Sequence, residues 1–263
     1  MLRSFSTLQN GIERVMDTND VLANNMANIN TYGYKQSKVL FKDIQEVEIK
    51  KLQQQQGFDP TEQQGAQTAG RLSLGPAVSQ MIIDFSKGDY ITTNNKLDFA
   101  INGDGFFCVQ GANNEELYTR KGNFVINSQG ILTTTDGLAI VNRDTNGPIR
   151  MQMDNRNPEN IVVQKDGLIN YGKEQIGHLK VVDFQNKDVL SQADGANFRN
   201  NGGAPTLMRN PEIMQGALET SNANAIGTML KSIEASRSYE SMMGVVQQTS
   251  DTLQKVINQT GKF

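Results

Sequence analysis

The sequence predicts an α+β fold in which long N- and C-terminal α-helices pair as a coiled-coil-like layer and the middle of the chain forms a central all-β domain. Three observations support this prediction: apolar residues recur at helical spacing at both ends, short strand-forming runs fill the middle, and a polar, Gln-rich stretch separates the first helix from them. We therefore divide the 263 residues into an N-terminal helix (1–35), an extended linker with a polar insert (36–75), a central β domain (76–215) and a C-terminal helix (216–263).

The first thirty residues carry apolar side chains at steps of three and four, which places them on one face of a helix. Asn19 is the only polar member of this stripe, so we expect a narrow seam of the coiled-coil type that packs on another helix. The assembly residues predicted on this seam are Phe5, Leu8, Ile12, Val15, Leu22, Met26 and Ile29.

The last forty residues repeat the pattern over a longer stretch. Residues 223–259 contain no proline, and their spacing predicts a helix of about thirty-five residues. The pattern alone leaves two arrangements open: both stripes face a globular core, or the two helices pair with each other, within one chain or between chains. The assembly residues predicted on the C-terminal helix are Ile226, Leu230, Ile233, Tyr239, Met242, Val246, Leu253 and Val256.

Turn dipeptides of the Asp-Gly and Asn-Gly type separate the apolar runs in the middle of the chain. Short strands at this spacing indicate a sandwich or barrel-like all-β domain rather than an enzyme fold that alternates strands and helices. The predicted strands cover residues 78–85, 97–101, 106–109, 124–126, 138–141, 161–163 and 178–184. The polar insert at residues 50–70 is expected to be an exposed loop or an extended linker.

The composition argues against several classes of function. With 25 basic and 28 acidic residues and a net charge of −3, the chain is not expected to bind nucleic acid. The single Cys108 and the single His178 argue against disulfide frameworks and against Cys- or His-ligated metal sites. Because the usual phosphate-binding, zinc-protease and serine-hydrolase motifs are absent, we predict no enzymatic activity and no catalytic, metal-binding or cofactor-binding residue. We also expect no membrane insertion, since no apolar run is long enough to cross a bilayer.

Five segments follow one another in the order typical of one known family. Ala-Asn-Asn-Met-Ala-Asn at residues 23–28 leads into Thr-Tyr-Gly-Tyr-Lys at 31–35, with Met26 and Tyr34 in place of the usual Leu and Phe. Related segments follow at residues 97–107, 118–124, 130–133 and 216–224. Together they resemble the signatures of the bacterial flagellar rod and hook proteins. The motif residues are Asn24, Asn25, Ala27, Asn28, Thr31, Gly33, Tyr34 and Lys35 near the N-terminus, and Leu97, Asp98, Ala100, Ile101, Gly103, Gly105, Phe106, Phe107, Tyr118, Thr119, Arg120, Gly122 and Phe124 in the β domain.

This resemblance implies a structural subunit of the flagellar basal-body rod that self-assembles helically into a hollow drive shaft, which transmits torque and passes exported subunits. It implies export through the flagellar type III apparatus without a cleaved signal peptide, and a place in the basal body within the periplasm. The implied partners are copies of the chain itself, neighbouring rod and hook proteins, the export apparatus and the surrounding bushing rings.

Within the family, two types of subunit remain open. The chain length and the insert at residues 50–70 resemble the distal rod type, whereas Asn-Pro-Glu-Ile-Met-Gln-Gly at residues 210–216 resembles the proximal rod type. We expect the distal type. Outside the family, the residues leave open a binding module that does not polymerise and a wall hydrolase that uses an acidic pair in the β domain.

Overall fold

The computed structural model describes residues 2–43, 76–111, 115–151 and 160–260. The chain divides into two compact units. The helical unit consists of Met1–Asn24, Ser37–Ile82 and Ile226–Phe263, and the β unit consists of Asn25–Gln36 and Ile83–Ala225. The polar insert predicted at residues 50–70 lies outside the described residues, and the four-part division drawn from the sequence stays a prediction.

The helical unit is built from two long helices and a small sheet. Helix α1 spans Leu2–Ala27 and helix α2 spans Ala225–Thr260. The strands β1 (Ser37–Asp43) and β2 (Pro76–Ile83) pair with each other. Neither helix contains proline, which would remove a backbone donor and clash with the preceding turn, so both run without a break.

The predicted coiled-coil-like pairing of the two helices is wrong. A coiled coil buries a continuous row of apolar side chains on each helix, but most of the predicted row on α2 is exposed, with Ile226 at 71% and Leu230 at 63%. Where the helices do meet, Ser232 Oγ donates to Oδ1 of Asn19 at 3.3 Å, so a polar pair occupies a position of the predicted seam. One N-terminal helix, one C-terminal helix and a large β-rich region fit an α+β class only loosely.

The β unit is made of short strands. Their bounds are β3 Tyr90–Thr92, β4 Phe99–Ile101, β5 Phe106–Gln110, β6 Glu116–Thr119, β7 Phe124–Ile126, β8 Leu132–Thr134, β9 Ala139–Ile140, β10 Ile161–Val163, β11 Leu168–Tyr171, β12 Glu174–His178, β13 Val181–Asp183, β14 Leu190–Asp194, β15 Asn197–Asn200, β16 Thr206–Leu207, β17 Ile213–Gln215 and β18 Ala217–Glu219. A 3-10 turn, Lys187–Val189, precedes β14.

Strand β5 is the centre of the largest sheet. This sheet has the order β14-β15-β6-β5-β9-β8-β7, and β13 pairs with both β5 and β16. A second sheet joins β10, β11 and β12. Two further pairs, β4 with β17 and β3 with β18, connect the start of the β unit to its end, so the strand before α2 is held by a strand more than a hundred residues earlier.

Two apolar clusters fill the interior of the β unit, one on each face of β5. Phe107 and Val109 belong to the larger cluster, whereas Phe106 and Cys108 belong to the smaller one. Successive side chains of a strand point to opposite faces, so a strand covered on both sides reads as an unbroken apolar run. This explains why Phe106–Gln110 shows no alternation of polar and apolar residues.

The sequence located some strands correctly and merged others. The strands predicted at residues 106–109, 124–126 and 161–163 are confirmed. The single strand predicted at residues 178–184 is wrong: β12 ends at His178 and β13 begins at Val181. The chain passes between two different sheets at this point, and one apolar run therefore supplies both.

The chain leaves the β unit and returns to it at two residues that touch. It departs after Gln36 and comes back at Ile83. The backbone N–H of Asp84 donates to the Gln36 carbonyl at 2.9 Å, and Nε2 of Gln36 donates to Oδ2 of Asp84 at 3.1 Å. The departure and the return are therefore hydrogen-bonded neighbours.

Candidate functional site

Residues from three sequence motifs meet around the carboxylate of Glu219. Lys35 comes from the segment after α1, Arg120 follows β6, and Glu219 ends β18 just before α2. All three residues are buried. Two cations and one carboxylate therefore lie together in the interior of the β unit.

Lys35 and Glu219 form a buried ion pair in which each side chain is only 1% exposed. Nζ of Lys35 lies 2.5 Å from Oε1 of Glu219 and also donates to the Ser86 carbonyl at 2.8 Å. Burial lowers the pKa of the Lys35 amine, and the attraction of the Glu219 carboxylate opposes that shift. Removing one member of such a pair leaves an uncompensated charge in the interior, so the pair holds two distant chain segments together.

The guanidinium of Arg120 closes the other side of this cluster. Its Nη1 atom lies 3.4 Å from Oε2 of Glu219, and its Nη2 atom donates to the Gly103 carbonyl at 2.6 Å. The guanidinium carbon lies 5.4 Å from the ring centroid of Phe106, within the range of a cation–π contact. Arg120 thereby ties the glycine-containing turn before β5 to the cluster.

Asn222 holds the same two segments with its side-chain amide. Its Oδ1 atom accepts a hydrogen bond from the backbone N–H of Gln36 at 2.8 Å. Its Nδ2 atom donates to the carbonyls of Asp84 at 2.8 Å and Ser86 at 3.1 Å. Because the amide accepts with its oxygen and donates with its nitrogen, this one side chain links the backbones of both segments.

Two motif glycines allow backbones to approach where a side chain would collide. Gly33 has φ = +67°, its N–H donates to the Glu219 carbonyl at 2.8 Å, and a Cβ there would overlap the backbone of Arg120. A Cβ on Gly122 would overlap the carbonyl of Phe99. These two motif positions therefore require glycine for steric reasons.

Tyr34 continues the buried arrangement toward the end of α1. Its side chain is fully buried, and its hydroxyl donates to Oδ1 of Asn25 at 2.9 Å. Two residues of the N-terminal motif, nine positions apart, are thus joined by a side-chain hydrogen bond. A second such bond runs from Oγ1 of Thr31 to Oδ1 of Asn28 at 3.2 Å.

Most other motif residues are buried and fill the β unit. Asp98 accepts hydrogen bonds from Oγ1 of Thr93 at 2.7 Å and from Nδ2 of Asn95 at 2.9 Å, which satisfies its carboxylate. Asn24 and Ala27 are exposed. The buried members are Leu97, Asp98, Ala100, Ile101, Gly105, Phe106, Phe107, Tyr118, Thr119, Gly122 and Phe124, and Gly103 is half-buried.

The predicted assembly residues are spread over both helices of the chain. On α1, Leu22 is buried, whereas Leu8, Ile12, Val15 and Met26 are half-buried. Ile29 lies in the turn after α1, and the side chain of Phe5 lies outside the described residues. On α2, Met242 and Val246 are half-buried, and the exposed members are Ile226, Leu230, Ile233, Tyr239, Leu253 and Val256. Their role in assembly stays a prediction.

The remaining reactive side chains are engaged or inaccessible. Cys108 is buried, and desolvation raises the pKa of its thiol. Nδ1 of His178 lies 2.6 Å from Oδ2 of Asp144, and this contact lowers the pKa of the Asp144 carboxyl. Among the residues that the structure describes, no cluster of three or more metal-binding side chains occurs, and no helix is both long and apolar enough to cross a bilayer.

Sequence reasoning missed the two residues that join the motifs. The sequence places Glu219 in the motif segment at residues 216–224 without a role, and it predicts for Asn222 only that it, or Ser221, caps the C-terminal helix. The sequence signal for Glu219 is an acidic residue that lies between two apolar runs and close to the start of a helix. A carboxylate that is buried in such a place needs a cation beside it. Nothing in the sequence tells which of the 25 basic residues supplies it.

These features define a structural protein whose motif residues fix backbone segments against one another. Two family models match the chain: the flagellar hook protein FlgE/F/G D1 domain at residues 100–171, and the flagellar basal body rod FlgEFG protein C-terminal region at residues 214–260. The matched regions contain Arg120 and Glu219, two of the three charged residues of the buried cluster.

Relatives match along almost the whole chain. The chain is 31% identical to the flagellar basal-body rod protein FlgF of Caulobacter vibrioides, over 93% of its length and 92% of the relative. It is 30% identical to FlgG of Buchnera aphidicola over 97% and 99%, and 28% identical to FlgG of Bacillus subtilis over 98% and 99%. The chain belongs to the flagellar basal-body rod protein family. It is a structural subunit of the basal body rather than an enzyme, and it assembles into the rod with related rod and hook proteins.

Proposed function

We propose that the chain is a subunit of the distal part of the rod and that it assembles helically through the apolar face of α2. The observation that carries the assembly part of this proposal is a row of large, exposed apolar side chains at the start of the helix: Ile226, Met229, Leu230 and Ile233. Residues spaced by three and four lie on one side of a helix. A contiguous apolar surface of this kind supports contact with another protein surface.

Burying this row against a neighbouring copy would stabilise assembly. Apolar burial contributes about 25 cal/mol per Å², so each of these side chains supplies on the order of 1 kcal/mol or more to a contact. A head-to-tail contact between different surfaces of identical subunits generates an open helical assembly when its rotation does not close a ring. The same proposal includes the assembly role that we predict for the apolar residues of α1 and α2. It also includes the division of the chain into four parts.

A charge placed in this row tests the proposal. In cells that lack the native copy, we expect Leu230→Asp to abolish incorporation of the chain into isolated basal bodies and to abolish motility. Leu207→Asp is the matched control, because Leu207 is also an exposed leucine but lies on β16 of the β unit. Normal incorporation of the Leu230→Asp chain would contradict the proposal.

The position along the rod is the part of the proposal with a specific alternative. The polar insert at residues 50–70 favours the distal type, whereas the segment at 210–216 favours the proximal type. The identities of 31% to a FlgF protein and 30% to a FlgG protein do not separate the two types. An epitope tag inserted at Gly172, in the exposed turn between β11 and β12, would mark the subunit in images of basal bodies. Label at the hook end supports the distal type, and label at the opposite end supports the proximal type.

Family membership also supports an export route and a location in the cell. We propose that the chain passes through the flagellar type III export apparatus without signal cleavage, and that its rod segment lies in the periplasm within the bushing rings. The mass of the chain recovered from basal bodies tests the first point, since cleavage would shorten it. Crosslinking of the assembled chain to ring proteins tests the second.

A further inference from the structure

The segment after α1 contacts the segment before α2, although most of the sequence separates the two. Lys35 and Glu219 are 184 positions apart, and Gln36 and Asn222 are 186 positions apart. We call this set of contacts the clasp and define it by Lys35, Gln36, Ser86, Glu219 and Asn222. All five residues belong to the β unit.

Glu219 is the centre of the clasp because it contacts three separate stretches of chain, at residues 33–35, at Gly88 and at Arg120. Its Oε1 atom accepts from the Lys35 amine at 2.5 Å and from the backbone N–H of Gly88 at 3.1 Å. Its own carbonyl accepts from the backbone N–H of Gly33 at 2.8 Å. The segment at residues 33–36 therefore has most of its distant partners in residues 84–88 and 219–222.

We propose that the clasp makes the order of folding conditional: residues 33–36 become fixed only after residues 219–222 have joined the β unit. Before that event the Lys35 amine has the Ser86 carbonyl and the weaker attraction of the Asp84 carboxylate, but it lacks Glu219, its hydrogen-bonded counter-charge. Burial of an ammonium without its main counter-charge is unfavourable. The amine therefore stays in water, and residues 33–36 stay open with it. Arrival of Glu219 and Asn222 supplies both the carboxylate and the amide that close the segment.

This order has a consequence for a chain delivered from its N-terminus. During synthesis on a ribosome, residues 33–36 are made early, and residues 219–222, which hold them in place, are made late. The same order applies to export that begins at the N-terminus, and this step rests on the proposed function. The segment that carries α1 would be fixed to the β unit only when nearly the whole chain is present.

Amine labelling of the purified full-length chain tests the clasp directly. In the native chain, Lys35 should react with an acetylating reagent at least tenfold more slowly than the exposed Lys173, as measured by mass spectrometry. Because burial lowers the pKa of the Lys35 amine, slow labelling would report shielding rather than protonation. Cys108, which is fully buried, serves as an internal measure of whether the β unit is folded.

Removing Glu219 should open the segment. In Glu219→Ala we expect Lys35 to react at least tenfold faster than in the native chain, while Cys108 stays protected from a thiol reagent. The matched control is Glu212→Ala, which removes an exposed glutamate that contacts Asn102 and should leave Lys35 protected. Continued protection of Lys35 in Glu219→Ala would overturn the proposal.

Two further measurements keep the test decisive. If Cys108 also becomes reactive in Glu219→Ala, the double variant Lys35→Met with Glu219→Gln removes the buried ammonium and leaves an amide oxygen beside Arg120. This variant should restore Cys108 protection, and failure to do so overturns the proposal. During refolding of the native chain from urea, protection of Lys35 should follow protection of Cys108, and the reverse order overturns the proposal. Neither result depends on rod assembly, so the proposed function is tested separately.

Discussion

The ammonium of Lys187 donates a hydrogen bond to Oδ1 of Asp104 at 2.7 Å and joins the 3-10 turn before β14 to the turn before β5. The hydrogen bond and the positive charge of Lys187 lower the pKa of the Asp104 carboxyl below its ordinary value. Two turns that are 83 positions apart are thus linked at the surface of the β unit.

Lys187→Met should raise the pKa of Asp104 toward its ordinary value, because the two largest lowering influences are removed and only the charges of Lys87 and Arg120 still lower it. A group whose pKa is depressed by folding contributes stability above its unfolded pKa and loses that contribution as the pH falls through the folded pKa. The native chain should therefore be more stable than the variant at pH values above the unfolded pKa of Asp104, and this difference should disappear as the pH falls through the folded pKa. NMR titration of the Asp104 carboxyl checks the shift. Lys173→Met, which changes an exposed lysine elsewhere, should leave the titration unchanged.

Tyr34→Phe should destabilise the β unit by about 1 kcal/mol, the typical net contribution of one hydrogen bond. The substitution removes the donor to Oδ1 of Asn25 and leaves the ring in place. Urea unfolding, followed by the reactivity of Cys108, measures the difference. Tyr239→Phe is the control, since Tyr239 is exposed on α2. Equal midpoints for both variants would show that the buried hydrogen bond contributes nothing.

Gly122→Ala should prevent the β unit from reaching its native packing, at a cost above about 2 kcal/mol for a forced overlap in a packed interior. The new methyl would occupy the position of the Phe99 carbonyl oxygen, and that carbonyl belongs to β4. Gly147→Ala is the matched control in the same unit, because a Cβ there meets only Oγ1 of Thr145 at 3.7 Å. Thermal unfolding should separate the two variants clearly.

Leu132→Ala should lower the free energy of unfolding by about 2–5 kcal/mol, through lost apolar burial and the cavity that remains. Leu132 is fully buried in the larger apolar cluster. Leu207→Ala removes the same atoms from an exposed position and should change stability by less than about 1 kcal/mol. Similar losses for both variants would mean that the cluster does not stabilise the β unit.

The terminal helices could be predicted from the sequence because helical periodicity is a local property. The periodicity shows which face of α1 and α2 is apolar, but it does not show what covers that face. The expected coiled coil was therefore wrong where Asn19 meets Ser232 and where Ile226 is exposed. Alternating and unbroken apolar runs located β5, β7 and β10, whereas the run at residues 178–184 could not reveal that the chain changes sheets.

The buried cluster could be predicted only in part. The motifs that contain Lys35 and Arg120 stood out as sequence signatures, but the residue that joins them, Glu219, follows Lys35 by 184 positions. Pairing across such a distance depends on the register of β18 with β3, which no local pattern encodes. The requirement for glycine at residue 122 likewise follows from the approach of β4 and not from a turn signal.

The hydrogen bonds between Gln36 and Asp84 bear on how chains of this kind can change in length. A chain segment whose two ends are hydrogen-bonded to each other can gain or lose residues without moving either end. Lengthening a loop adds only a slowly growing entropic cost. Insertions and deletions between these anchors would therefore leave the rest of the architecture unaltered. Descendants of one ancestral subunit could diversify there while keeping a common frame.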